Sequence, residues 1–143
     1  MTGRVIFQKL IRRADLQANP DVLYAFGDNL RRSGFGGQAF EMRGEPNAIG
    51  IPTKWRPSRA EWDFFKNRDW HEHPEIKREI DHAFNDLEHF LLNGGTIVLP
   101  EDGIGTGLAE LPVRAPAIFE HIRKRMARLI DIADGAKVER HFG

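Results

Sequence analysis

Two glycine-rich turns, GFGGQ at Gly34 to Gln38 and EDGIGTGL at Glu101 to Leu108, carry the clearest chemical signal in this chain. Each follows a short apolar run, VLYAFGDN for the first and TIVLP for the second. An apolar run ending in glycines reads as a buried strand that delivers its loop to one edge of a sheet. There, backbone N–H groups can approach a phosphate with no side chain in the way. A single loop of this kind is weak evidence, because glycine also serves ordinary turns. Two in one small domain point to a phosphorylated ligand.

Other patterns point to no definite chemistry. The glycines of GIGTG fall at Gly103, Gly105 and Gly107, with Leu108 where a dinucleotide fingerprint needs its third glycine, so a hydride-transfer fold is disfavoured. No Lys-Ser or Lys-Thr follows either loop, which removes the triphosphatase loop. His71, Glu72 and His73 look like metal ligands, and His82 and His89 lie seven apart on one helix. Neither set comes with the further donors a transition metal needs, and they read as solvated histidines. Arg123, Lys124, Arg125 and Arg128 read as a basic helix end meeting the negative end of its dipole.

Alternating strands and helices must hold the loops. Arg4 to Ile11 reads as a first strand, ADLQANPD as a polar turn, Val22 to Phe26 as a second strand, and Gln38 to Arg43 as a short helix. Ala48 to Pro52 is a third strand. Ile76, Ile80, Ala83, Phe84, Leu87, Phe90 and Leu91 then recur at helical spacing between Pro74 and Leu92. Thr96 to Leu99 is a buried strand, and a second long helix carries Ala115, Ile118, Phe119, Ile122, Met126 and Leu129. The segment from Trp55 to His73 breaks the rhythm and holds all three tryptophans. Trp62, Phe64 and Phe65 are expected to pin it to the body, leaving one aromatic for a ligand. The alternation predicts a three-layer α/β/α fold with a mixed, largely parallel sheet, and a ligand at the carboxyl ends of the strands.

At 143 residues and 41% hydrophobic, the chain fits one domain, residues 1–143, around a single core. Its net charge of zero disfavours a binder that relies on a strongly positive field. Without cysteine it offers no disulfide or thiol nucleophile, and nothing calls for an oxidising compartment. No stretch approaches the roughly 20 apolar residues of a membrane span, and the N-terminal apolar run is too short for a signal peptide. The expectation is a cytoplasmic protein with no membrane partner.

GDN followed by GFGGQA, then IGIPTK, then LPEDGIGTGLAEL, in that order, resembles the macrodomain, a module that binds ADP-ribose. The similarity is to the branch of terminal ADP-ribose glycohydrolases and of antitoxins that strip ADP-ribose from DNA, and it runs from about Val22 to the last helix. It implies a macrodomain-like fold whose partner is ADP-ribose or an ADP-ribosylated macromolecule, with a DNA contact left open and no cofactor or metal. It implies that Gly27, Asp28, Asn29, Gly34, Phe35, Gly36, Gly37 and Gln38 meet the distal ribose. By the same resemblance Thr53, Gly103, Ile104, Gly105, Thr106, Gly107 and Leu108 complete the ribose and diphosphate site, and Lys54 attacks the anomeric carbon. A lysine is nucleophilic only when neutral, and a desolvated pocket favours that form. A phosphate contact and a surface charge are the other readings of Lys54.

The chain also departs from that pattern. The branch has an aspartate after the last glycine of the second loop, where this chain has Ala109, with Glu110 beside it. Glu110, Asp102 and Asp28 are the carboxylates that could stand in. The Gly-Asp pair that meets adenine in the family is missing, and the nearest acid downstream of the first strand is Asp15.

Overall fold

The computed structural model describes residues 2–141. The strands are β1 (Arg4–Gln8), β2 (Leu23–Asp28), β3 (Ala48–Pro52), β4 (Thr96–Pro100) and β5 (Val138–His141). The helices are α1 (Arg13–Ala18), α2 (Ala39–Met42), α3 (Asp69–Glu72), α4 (Pro74–Leu92), α5 (Leu111–Arg114) and α6 (Pro116–Ile132). The five strands form one sheet in the order β3-β2-β4-β1-β5, and every pairing between them is parallel.

Alternation along the strands sorts side chains into two cores. Val5 and Phe7 of β1, Ala25 of β2, and Ile97 and Leu99 of β4 pack with the apolar stripes of α4 and α6. Ile6, Tyr24, Phe26 and Val98, their neighbours in sequence, point the other way and pack with Leu16 of α1 and with Ala39 and Met42 of α2. The result is the expected α/β/α sandwich. Each fully buried Leu, Ile or Phe contributes roughly 1.5–3 kcal/mol by leaving water.

Helix α4 has the limits its sequence implies. Pro74 occupies the first turn, where its missing N–H costs nothing, and Ile76, Ile80, Ala83, Phe84, Leu87 and Leu91 are buried. Its end is a left-handed cap: Gly94 has φ +91°, its N–H donates to Leu91 O, and Gly95 N donates to Phe90 O at 2.9 Å.

Several sequence expectations are corrected. ADLQANPD is mostly helix, not a turn: Asp15 accepts from Arg12 N at 2.9 Å at the start of α1, while Leu16 is the only residue that the helix buries. β1 ends at Gln8, and Ile11 is buried in the α1/α2 layer. The residues Arg123, Arg125 and Arg128 lie before the last turn of α6, which contains no basic residue. Arg125 and Arg128 bond Glu88 of α4, and Arg125 also bonds Asp81 at 2.7 Å. They join two helices instead of serving a dipole. In the Trp55–His73 segment Phe64 and Phe65 are buried as expected, but Trp62 is 71% exposed and pins nothing. Strand β5, which adds a fifth parallel strand beside β1, was not anticipated. Among the described residues no helix is long and apolar enough to cross a membrane.

Candidate functional site

Strands β2 and β4 are neighbours, and the chain leaves them toward opposite layers, to α2 from β2 and to α5 and α6 from β4. Divergence of this kind opens a crevice at the carboxyl edge of a parallel sheet. Pro52 pairs with Asp28, so Thr53 and Lys54 emerge at the same edge. A cavity of about 330 Å³ results, lined by both glycine loops together with Gly27, Asn29, Thr53 and Lys54. Gly36 and Gly105 line this one space, and a Cβ on Gly36 would stand 3.5 Å from Leu108 Cδ1 of the opposite loop.

The loops offer donors. Among the described residues no protein acceptor meets the backbone N–H groups of residues 34–38, nor those of residues 104–109. Gly34, Gly37, Gly103 and Gly105 hold φ between +57° and +94°, which keeps both loops in turns that other residues rarely adopt. Runs of unpaired amides at the start of helices favour anions.

Two side-chain acceptors complement them. Asn29 is buried and donates through Nδ2 to Ser33 O at 2.8 Å, and among the described residues its Oδ1 meets no donor. Gln38 Oε1 is likewise buried and unpaired among the described residues. A buried oxygen with no donor is costly, and hydroxyl groups of a ligand would satisfy both.

Of the three candidate carboxylates, Asp28 and Asp102 line the cavity and Glu110 does not. Asp28 lies over Gly50, accepts from Asn29 N at 2.8 Å, and is gripped by Arg43 and by Arg32 at 3.3 Å. It is thus engaged by two arginines, and it lines both this cavity and a second hollow of about 430 Å³ beside β3. Asp102 is exposed at the cavity rim, where its backbone O accepts from Thr106 Oγ1 at 2.7 Å. Glu110 does not line the cavity; it has φ +52° and pairs with Arg114 at 3.4 Å. Ala109 is buried and does line it. Ile104 belongs to the hydrophobic core, so only its backbone is left for a ligand, and Phe35 is 61% exposed and outside the cavity lining. Asp15 is occupied by Arg12 N and Gln8 Nε2 and is also outside it.

Lys54 is buried at the cavity wall. Its Nζ donates to Ser58 O at 2.6 Å and lies 4.4 Å from the centre of the Phe64 ring, over which Arg114 also sits. Burial pushes its pKa below the ordinary lysine value; Asp63 works against that, while Arg59 and Arg114 add to it. Sequence reasoning missed Ser58, Asp63 and Phe64, because they reach Lys54 through an antiparallel bridge between Lys54 and Phe64 that no spacing announces.

Among the described residues, His73 is the one histidine that joins a group with metal-ligand geometry, its ligand atom lying within 4.8 Å of those of Asp69 and Glu72. Asp69 already accepts from Lys66 N and Trp55 Nε1, and His73 Nδ1 is 3.2 Å from Glu75.

The chain belongs to a family of unknown function (DUF7831), whose pattern matches residues 6–125. That span takes in both glycine loops, Lys54 and the Trp55–His73 segment, and leaves out β5. No curated protein and no solved structure matches the chain.

Proposed function

We propose that this protein binds ADP-ribose between its two glycine loops and removes it hydrolytically from a modified macromolecule, DNA or protein. One observation carries the reading: unpaired backbone donors on both loops share a cavity with the unpaired oxygens of Asn29 and Gln38. Donors for a diphosphate beside acceptors for sugar hydroxyls match a nucleotide diphosphate sugar better than a bare phosphate. The resemblance to macrodomains supports the same ligand, and the absence of cysteine accords with a cytoplasmic setting.

In this reading Lys54 supplies the chemistry. Its neutral nitrogen adds to the anomeric carbon of the distal ribose, and the bond from that carbon to the macromolecule breaks. The leaving atom keeps the electron pair and takes up a proton. The bond from the anomeric carbon to the ring oxygen then breaks as nitrogen forms a C=N bond, the freed oxygen taking up the proton that nitrogen gives up, and water hydrolyses this Schiff base, which restores the amine and frees ADP-ribose. The loop amides hold the diphosphate and so place the reacting carbon.

A second reading, a binding module without turnover, is favoured by buried Ala109 at the place of the family's aspartate and by the engagement of Lys54 Nζ with Ser58 O. Isothermal titration with ADP-ribose, NAD and ATP tests the shared binding step. Release of ADP-ribose from modified DNA and modified protein separates enzyme from module. Preference for ADP-ribose over ATP is expected, and equal or absent binding of all three overturns both readings.

A further inference from the structure

Asp63 is a buried carboxylate for which the proposed function has so far had no use. Its residue is 3% exposed, within the Trp55–His73 segment that interrupts the alternation of strand and helix. Oδ2 accepts from Ser58 Oγ, while among the described residues Oδ1 has no hydrogen-bond partner and lies 3.8 Å from Arg56 Nη1. A carboxylate out of water with one idle oxygen is unfavourable, and natural proteins keep few such groups.

The backbone explains its placement. Lys54 pairs with Phe64 across an antiparallel bridge, and Trp55 N donates to Asp63 O at 2.9 Å, so the short 3-10 turn Glu61–Asp63 is fastened opposite the lysine. Ser58 then connects the two side chains. Its carbonyl holds Lys54 Nζ, and its hydroxyl is held by Asp63.

We infer that Asp63 is a positioning residue for Lys54: through Ser58 it fixes the carbonyl that aims the amine. The inference builds on the proposed role of Lys54. It puts that carboxylate on the Trp55–His73 segment, outside the cavity that Ala109 lines. Asp63 does not line the cavity and so does not touch a ligand there. The other charges acting on the amine are Arg59, Arg114 and Glu110, with Arg114 held in turn by Glu61 at 2.7 Å.

Competitive acetylation of the whole protein with acetic anhydride across a pH series reads the amine directly and needs no ligand. Exposed Lys77 and Lys137 serve as internal standards, and mass spectrometry separates the peptides. Asp63→Asn keeps an acceptor for Ser58 Oγ but removes the charge, so neutral Lys54 should become more abundant and label at least about threefold faster below its midpoint. Ser58→Ala leaves the charge and cuts the tie, so Lys54 should label faster at high pH through greater access. Glu120→Gln, on the surface of α6, should change nothing. If Asp63→Asn does not fold, as circular dichroism will tell, Ser58→Ala carries the test. A Lys54 profile that superimposes on the parent's in the folded variant overturns the inference. Titration of the same samples with ADP-ribose is independent: loss of binding in the parent sinks the function reading and leaves the labelling result standing.

Discussion

The side chain of Leu111 fills the space that a Cβ on Gly105 would need, and Leu111 N donates to Gly105 O at 2.9 Å. With φ +84° as well, Gly105 accepts no side chain without strain. A carboxylate placed there would therefore test folding before binding. Gly107 is the better position, because a Cβ on it meets nothing within 4 Å. Gly107→Asp is expected to weaken ADP-ribose binding by about tenfold or more through repulsion of the diphosphate, with the melting temperature within about 2 °C of the parent. Calorimetric titration and a thermal melt check both halves, and unchanged affinity removes the second loop as the phosphate cradle.

Asn29 gives a second handle, one that distinguishes the two ends of the ligand. Its unpaired Oδ1 belongs to the ribose side of the proposed site, so Asn29→Ala should cost about tenfold in affinity for ADP-ribose and little for ADP or AMP. An equal loss for all three ligands would assign Asn29 to loop architecture.

Replacement of Lys54 separates enzyme from module. If its nitrogen attacks the ribose, Lys54→Ala should lower the release of ADP-ribose by about a hundredfold or more while leaving binding within a few-fold of the parent. Borohydride added during turnover should fix an adduct on Lys54. A parent that binds ADP-ribose and releases none from DNA or protein leaves the module in possession.

Stability at low pH should depend on Asp81. Burial acts to raise its pKa, but hydrogen bonds from Lys77, His121 and Arg125 outweigh that and hold it at about 2, against 3.8 ordinarily. A folded-state value below the unfolded one means that the stabilisation is present in full above about pH 4. It is lost as pH falls toward 2. Asp81→Asn should cost on the order of 1–2 kcal/mol at pH 7 and progressively less in acid, measured by urea unfolding at pH 7, 4 and 2.5. A constant difference across that range would mean that packing, not charge, accounts for the loss.

Legibility in the sequence followed the strength of local signals. Helix α4 was read to both limits because seven apolar residues keep helical spacing between a proline and Asn93-Gly94-Gly95. The common edge of the two loops was legible from the alternation of strand and helix alone. Helix α1 was not, since a six-residue helix that buries only Leu16 has no period to detect. Strand β5 has a single apolar residue, Val138, and is held beside β1 by parallel pairing, with the Arg4–Glu139 ion pair across the two strands. The bonds of Arg125 and Arg128 to α4 and the closing of Ser58 and Asp63 on Lys54 depend on contacts across the tertiary fold. Composition carries no trace of these.

The strand order also dictates a history for the molecule. β4, residues 96–100, lies between β1 and β2, so on a ribosome the first two strands wait as unjoined edges until two thirds of the chain has emerged. Only insertion of β4 brings the two glycine loops together. Parallel pairing between distant segments is slow, because the entropy of closing the intervening chain is lost before contacts repay it. On the proposed reading nucleotide capture is a late event in biogenesis, and a fluorescent ADP-ribose analogue added to refolding protein would time the completion of the sheet.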